Sequence, residues 1–173
     1  LTVSGASSTP RKGYLRMPVR SRRILPLLLL PALAALAGCG TLTAPFDGEG
    51  RRLAEARRTW ERQALDRYTF TLQRLCFCAG PVGPLHATVH GDSIIDLRLA
   101  GDGAPVPAAL QHGYPTVAGL FRIIEDAIAR RAHVLEVAYH ATLGHPTTVV
   151  VDYSRNVADD EFTYRASEVR PVP

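Results

Sequence analysis

Six short segments rich in aromatic and β-branched residues constrain the fold of this chain more than any other feature of its sequence. Apolar and polar residues alternate along most of them, which is typical of strands that bury one face. The segments form two groups of three, and an amphipathic helical segment precedes each group. The predicted strands span residues 68–77, 85–90, 93–99, 133–139, 147–153 and 161–169.

The two helical segments have recognisable apolar stripes. The first helix is predicted over residues 49–65, with Asp47 as a candidate cap. Its apolar positions are Leu53, Ala56, Trp60 and Ala64. The second helix is predicted to follow Thr116, a residue type that favours N-caps. Its apolar stripe consists of Val117, Leu120, Phe121, Ile124 and Ile128. The sequence therefore predicts an α+β fold, an antiparallel sheet with two helices, and the repeated order suggests an α-β-β-β tandem repeat.

The connections between the strands also carry information. Gly91-Asp92 separates two alternating segments and predicts a β-hairpin. The expected core positions of that hairpin are Val89, Ile95, Leu97 and Leu99. Residues 100–115 contain three glycines and three prolines and little pattern. A loop of that length is unusual in a compact domain, so we interpret it as either a functional loop or a connector between the two halves.

The amino-terminal region has the pattern of a secretory signal. A basic stretch from Arg20 to Arg23 precedes an apolar stretch over residues 24–36, and the small residues Ala37 and Gly38 follow. The apolar stretch is shorter than the about 20 residues that a membrane-spanning helix needs. Because Met17 stands just ahead of the basic stretch, we expect translation to begin there, and within the signal region over residues 1–38 we expect residues 17–38 to be removed by cleavage.

The residues at the end of the apolar stretch, Leu36-Ala37-Gly38-Cys39, resemble the lipobox of bacterial lipoproteins. In that family the cysteine sulfur receives a diacylglyceryl group, cleavage occurs just before the cysteine, and the new amino terminus is acylated. Each buried methylene contributes roughly 0.8 kcal/mol, and one acyl chain alone holds a protein only marginally. The resemblance implies lipidation of Cys39, a lipidated tether over residues 39–48 and a single α+β domain over residues 49–173. The alternative is an ordinary secretory signal with an incidental cysteine.

Removal of the signal reverses the net charge. The whole sequence carries +4, but six basic residues precede Cys39, which leaves 14 arginines against 16 acidic residues, or −2. The basic character of the full chain is therefore no argument for a nucleic-acid partner. Five arginines lie on the first predicted helix among three glutamates. That face is either a solvated, salt-bridged surface or a contact for anionic lipid head groups.

Cys76 and Cys78 are the only cysteines besides Cys39. On a strand, residues two apart point the same way with Cα atoms about 6.6 Å apart. A disulfide accepts up to about 6.8 Å, so we predict a structural disulfide, eased by a bulge. A metal-binding pair and a redox pair are the alternatives.

Histidines and carboxylates provide two weaker candidate metal sites. His140 and His145 flank a predicted turn, where they could converge on a metal ion or simply be turn histidines. The densest set of oxygen ligands could hold calcium, but acidic residues also favour turns. That set consists of Asp152, Asp159, Asp160 and Glu161, with Asn156 nearby. We predict no metal site and no cofactor, and these four carboxylates remain the weak candidates.

The domain resembles a family of short bacterial lipoproteins of unknown function over about residues 60–169. The motifs that carry the resemblance are Tyr68-x-Phe70, Cys76-x-Cys78, Leu120-Phe121, Tyr139, Gly144-x-Pro146, Asp152 and Asp159-Asp160-Glu161. The resemblance implies no activity. Bacteria with two membranes typically retain lipoproteins on the inner membrane when Asp follows the lipidated cysteine. Gly40 therefore implies the outer membrane, if the source has one.

The sequence contains no Gly-x-Ser-x-Gly elbow, His-Glu-x-x-His, Walker loop or Gly-x-Gly-x-x-Gly motif. We therefore expect no catalytic residues, and we expect a membrane-anchored envelope lipoprotein that acts as a non-catalytic binding or structural module. Its partners would be the membrane, through the lipid, and an envelope protein. The alternatives are a calcium- or zinc-dependent envelope enzyme and an inhibitor of an envelope enzyme, with residues 100–115 as the inserting loop.

Overall fold

The computed structural model describes residues 44–157 and 159–173, so Met17 and the Leu36–Cys39 sequence lie outside the described residues. The helices are α1 (Ala44–Glu61), α2 (Ala108–Gln111) and α3 (Val117–Ala129). The strands are β1 (Arg67–Cys76), β2 (Leu85–His90), β3 (Ser93–Leu99), β4 (Val134–Tyr139), β5 (Pro146–Asp152) and β6 (Phe162–Pro171). No helix in this part of the chain is long and apolar enough to cross a membrane.

The six strands form one antiparallel sheet in the order β3-β2-β1-β6-β5-β4. Each half of the chain contributes three consecutive strands, and the halves join where β1 pairs with β6. The predicted α+β class and antiparallel sheet are confirmed. A long helix precedes each set of three strands, and the short α2 is an addition that the sequence did not predict. A duplication as the origin of this order remains a prediction.

One face of the sheet carries the core. Tyr68, Phe70 and Leu72 alternate with Thr69 and Thr71 along β1, and the first three are buried. Their neighbours on β2, β5 and β6 continue the same face, against which α1 and α3 pack. The predicted stripe of α3 is confirmed, because Val117, Leu120, Phe121 and Ile124 are buried and Ile128 packs against the core. We call the opposite face of the sheet, which carries Thr69 and Thr71, the open face, and these two side chains are half-buried.

The observed element bounds differ from the prediction most at α1, and β6 ends at Pro171, two residues later than predicted. β1 ends at Cys76, one residue earlier than predicted. α1 begins five residues earlier and ends four residues earlier than predicted. Asp47 therefore lies in the first turn of the helix, and Ala64, with φ of 50°, lies beyond its end.

The prediction that Ile95 is a core residue is wrong. Its side chain is 51% exposed, whereas Val89 and Leu97 are buried as predicted and Leu99 is half-buried. The register explains the difference: Thr88 pairs with Asp96, but the next residue, Val89, pairs with Ile94. Ile95 is thus the extra residue of a β-bulge, which shifts the alternation by one position.

The sheet has two distinct ends. Cys76 pairs with Phe162, and Val134 pairs with Asp152, so the 77–84 loop and the 153–161 turn lie at the same end, which we call the loop end. The Gly91-Asp92 turn and the 140–145 turn lie at the other, the hairpin end. α3 begins at the hairpin end, where the Val117 N–H donates to the Tyr68 hydroxyl.

α1 and α3 run in opposite directions. Near the hairpin end, Trp60 of α1 packs edge-on against Tyr68, 5.3 Å between ring centroids. Earlier in α1, Arg57 forms an ion pair with Glu125 and lies over the Phe121 ring. Moving back along α1 from Trp60 to Arg57 therefore corresponds to moving forward along α3, which makes the two helices antiparallel. The amino-terminal turns of α1 reach edge strand β4, where Glu49 accepts a hydrogen bond from the Tyr139 hydroxyl at 2.9 Å.

Candidate functional site

A cleft of about 690 Å³ lies beside the amino-terminal half of α3. Its volume is in the usual range for small-molecule or peptide side-chain pockets, about 300–1,000 Å³. It is bounded by α3, by the 111–116 segment and by the start of β3. The side chains that line it and matter below are Asp92, Tyr114, Thr116, Arg122, Tyr153 and Tyr164.

A series of hydrogen-bonded polar side chains forms the wall of this cleft at the hairpin end. Thr116 is the N-cap of α3, as predicted, because its Oγ1 accepts a hydrogen bond from the Gly119 N–H at 3.1 Å. The same hydroxyl donates to Asp92 Oδ1 at 2.7 Å, and Arg122 Nη1 donates to Asp92 Oδ2 at 2.7 Å. Two hydrogen bonds lower the pKa of the Asp92 carboxyl: the one from Arg122 has the larger effect and the one from Thr116 the smaller. The turn between β2 and β3 is thereby joined to the start of α3.

Arg74 organises the opposite wall. Its Nη1 donates to the Gly113 carbonyl at 2.8 Å, and its Nη2 donates to the Ala79 carbonyl at 2.5 Å. Its guanidinium lies 4.3 Å from the centroid of the Tyr114 ring. A Cβ on Gly113 would collide with this guanidinium, so a larger residue there would displace the flexible end of the Arg74 side chain. Sequence analysis did not single out Arg74, because its partners are 5 to 40 residues away and no local pattern marks them.

The tyrosines of the cleft are hydrogen-bond donors. The Tyr114 hydroxyl donates to the Pro81 carbonyl at 3.1 Å, and the Tyr164 hydroxyl donates to the Gly113 carbonyl at 3.3 Å. Burial raises the pKa of Tyr164, and burial with the hydrogen bond to Asp126 raises the pKa of Tyr153 to about 12. A general base needs a pKa near the working pH, so these groups suit binding better than proton transfer.

His140 and His145 converge, as the sequence allowed, but they stack instead of pointing at a common centre. Their ring centroids are 5.0 Å apart. His140 Nδ1 accepts hydrogen bonds from the backbone N–H groups of Thr142 and Leu143. In the neutral ring its proton is therefore on Nε2, so neither nitrogen offers a free lone pair to a metal.

His145 is 1% exposed, and neither of its ring nitrogens has a hydrogen-bond partner within the described part of the chain. Burial, with His140 adding to it, lowers its pKa to about 4. The imidazole is therefore neutral at pH 7. Gly144, immediately before it, has φ of 80° and lies directly against the backbone of α1.

The four acidic candidates do not converge. Asp152 Oδ1 accepts a hydrogen bond from the Ser154 N–H at 2.9 Å, which is an ordinary turn contact. Asp159 and Glu161 are exposed, and Asp160 is half-buried. Across residues 44–157 and 159–173, no group of three or more His, Cys, Asp or Glu side chains could hold a metal ion.

The sulfur atoms of Cys76 and Cys78 are in direct contact, with Cα atoms 5.3 Å apart. The separation is shorter than the strand value because β1 ends at Cys76 and the chain bends afterwards. This geometry is compatible with the predicted disulfide.

A hydroxyl–imidazole–carboxylate cluster on the open face was not predicted. Thr71 Oγ1 donates to Glu168 Oε2 at 2.9 Å and lies 3.2 Å from His86 Nδ1. A hydroxyl has one proton, so the imidazole must be the donor in its contact with Thr71. His86 therefore cannot take the proton of Thr71 in this arrangement, as a nucleophile's base would. The carboxylate reaches Thr71 because Glu168, with φ of 53°, forms a bulge in β6.

The segment expected as an inserting loop is part of the fold. Val106 and Tyr114 are buried, and the Val106 N–H donates to the Leu97 carbonyl at the edge of β3. Residues 100–115 thus connect the two halves and supply one wall of the cleft.

The comparison with protein families gives one match. The model of a family of unknown function, DUF6174, matches residues 52–171, which is most of the chain and nearly all of the described domain. No match was found among curated proteins or among solved structures. This agrees with the resemblance to a family without a known activity, while the lipobox lies ahead of the matched residues. The chain belongs to the DUF6174 family of unknown function.

Proposed function

We propose that this chain is a lipoprotein of the cell envelope, anchored to the membrane through Cys39, whose domain is a non-catalytic binding module. The observation that carries the proposal is the order of the amino-terminal sequence: basic residues, an apolar stretch and Leu36-Ala37-Gly38-Cys39. α1 begins only five residues after Cys39, so these five residues can separate the start of α1 from Cys39 by at most about 17 Å.

Binding is favoured over catalysis by the state of the side chains in the cleft. The Asp92 carboxylate accepts hydrogen bonds from Thr116 and Arg122. The tyrosine hydroxyls of the cleft donate hydrogen bonds to backbone carbonyls or to Asp126. These contacts give a preformed wall of aromatic rings and paired charges. Such a wall can recognise a peptide or another protein with little rearrangement.

Lipidation is tested by replacing Cys39 with Ser in the full-length gene and labelling cells with a fatty acid. We expect the wild-type protein to be labelled and processed, and the Cys39→Ser protein to be unlabelled and unprocessed. The double variant Cys76→Ser/Cys78→Ser is the matched control and should be labelled normally. Labelling of the Cys39→Ser protein would refute the anchor.

The membrane that holds the anchor is tested by a second variant. If the source has two membranes, we expect the wild-type protein in the outer-membrane fraction and Gly40→Asp in the inner-membrane fraction. An unchanged distribution would contradict the proposed outer-membrane location.

The binding module is tested by photocrosslinking in intact cells. A crosslinking amino acid replaces His112, an exposed residue of the cleft, or Ile95, an exposed residue outside it. We expect a discrete crosslinked product from position 112 and none from position 95. Equal products from both positions would indicate non-specific contact and would count against the cleft.

A further inference from the structure

β5 and β6 separate before the sheet reaches its hairpin end. Their pairing stops at Thr148 and Arg165, whereas β6 stays paired with β1 as far as Pro171. The opening that results, which we call the β5–β6 gap, lies between residues 143–147 and residues 165–169. Its volume of about 650 Å³ is in the usual range for ligand pockets.

The 140–145 turn holds the two strands apart. Gly144, with φ of 80°, lies directly against the backbone of α1. Within the turn, the His140 N–H donates to the His145 carbonyl at 2.9 Å, and the Gly144 N–H donates to the His140 carbonyl at 2.8 Å. Because these contacts fix the turn against α1, the start of β5 is kept away from β6 and the gap is preformed.

A buried imidazole with unused hydrogen-bonding groups belongs to the wall of the gap. His145 is among the lining residues, and neither of its ring nitrogens has a partner in residues 44–157 and 159–173. His140 stacks on this ring and Trp60 meets it edge-on, so its position is confined. A neutral imidazole has one N–H donor and one acceptor nitrogen, and burying them without partners costs free energy. A polar group of a ligand seated against this wall is a partner that the described side chains do not provide.

The charged groups of the gap favour a ligand with a single negative charge. Arg165 lines the gap, is exposed and forms no ion pair with any described residue. Glu168 also lines it, but its Oε2 accepts a hydrogen bond from Thr71 at 2.9 Å, and its Oε1 lies 3.9 Å from Arg170 Nη2. A dianion such as phosphate would be repelled by the Glu168 carboxylate more strongly than a monoanion. A carboxylate can form a charge-assisted hydrogen bond with Arg165 at a lower electrostatic cost.

We propose that the β5–β6 gap binds a small organic carboxylate with an apolar substituent, held by Arg165 and by a hydrogen bond to His145. The apolar part of the lining, which would contact the substituent, includes Leu143, Ala166 and Val169. No residue lines both this gap and the cleft beside α3, so the two sites are separate. The inference goes beyond the function proposed above and does not rest on lipidation of the chain.

The test titrates N-acetyl-leucine into the full-length protein, with isotope-labelled histidine, in detergent micelles. This probe combines a carboxylate with an apolar side chain, and N-acetyl-leucinamide is the matched neutral control. The ring-nitrogen NMR signals of His145, assigned by their loss in His145→Leu, report contact with the imidazole. We expect a saturable shift of these signals with N-acetyl-leucine, little shift with the amide, and none at the exposed His112.

Two arginine variants test the charged contact. Arg165→Met should weaken binding of N-acetyl-leucine by at least about tenfold, because a charge-assisted hydrogen bond is lost. Arg155→Met, at an exposed arginine in the 153–161 turn of the loop end, is the matched control and should bind like the wild type.

Each outcome decides for or against the site. A shift of the His145 signals that is selective for the carboxylate and weakened in Arg165→Met supports the proposal. Absence of any shift overturns it, and so does unchanged affinity in Arg165→Met. Equal affinity for the amide or for inorganic phosphate overturns the assignment to carboxylates. Binding by the Cys39→Ser protein would support the site independently of the anchor, so failure of the proposed lipidation and failure of this inference are distinguishable.

Discussion

The guanidinium of Arg74 stacks on the ring of Tyr114, 4.3 Å from its centroid, and joins two segments that are far apart in the chain. One is the loop after β1, held through the Ala79 carbonyl, and the other is the connector between the halves, held through the Gly113 carbonyl. This one side chain therefore supports both the cleft and the loop over residues 77–84.

Replacing Arg74 with Met should lower the free energy of unfolding by about 2–3 kcal/mol, because two charge-assisted hydrogen bonds and the stacking contact are lost. Arg74→Lys should recover part of the loss, since an ammonium keeps the charge but cannot form the fork. Arg165→Met is the control on the neighbouring strand, where the arginine is exposed. Urea unfolding measures all three, and equal effects of the Arg74 and Arg165 changes would contradict the role of Arg74.

Gly144→Ala should destabilise the protein by about 3 kcal/mol or more. A Cβ there would lie 2.8 Å from both Thr59 Cβ and Trp60 N, at φ of 80°. The substitution thus combines overpacking with an unfavourable backbone conformation. Gly91→Ala measures the cost of the backbone conformation alone, because Gly91 also has positive φ but open space around it. We expect this substitution to lower the free energy of unfolding by about 1 kcal/mol. Thermal or urea unfolding that gives equal losses would show that α1 does not pack against Gly144.

The buried His145 should make stability depend on pH. Its pKa is about 4 in the folded protein against 6.5 in the unfolded chain. The unfolded state therefore binds more protons between these values, and stability is lost as pH falls from about 6.5 to about 4, by up to about 1.4 kcal/mol per pH unit. The groups packed against the ring are His140, stacked on it, and Trp60, edge-on.

The measurement is urea unfolding of the wild type and of His145→Leu at several pH values. As the pH falls from about 6.5 to about 4, we expect the wild type to lose stability relative to His145→Leu. His112→Leu, at an exposed histidine, should follow the wild type. A pH-independent difference between His145→Leu and the wild type would show that His145 is not held neutral by burial.

The Cys76–Cys78 pair should be oxidised in protein purified from the envelope without reductant. We expect its mass to rise by two hydrogens after reduction, with no such change in Cys76→Ser/Cys78→Ser. Because the closed loop is only about three residues long, reduction should cost no more than about 2 kcal/mol of stability. Two free thiols in freshly exported protein would refute the disulfide.

Features that depend on neighbouring residues could be predicted from the sequence. The bounds of β2 and β3, the hairpin between them and the Thr116 cap follow from alternation and from residues adjacent in the chain. The short α2 was missed because four residues between prolines and glycines leave no periodic pattern. Ile95 was misassigned because a bulge arises from the pairing of two strands, and alternation within one strand does not reveal it.

The sequence by itself determined the α+β class, the two groups of three strands and the prediction of an anchor at Cys39. The tertiary structure decided how those parts meet: β1 beside β6, α1 antiparallel to α3, Arg74 against Tyr114, and His140 stacked on His145. The physical reason is the range of the interactions. Periodicity and capping act over a few residues, whereas packing and hydrogen bonds to distant carbonyls depend on where the whole chain has placed its segments.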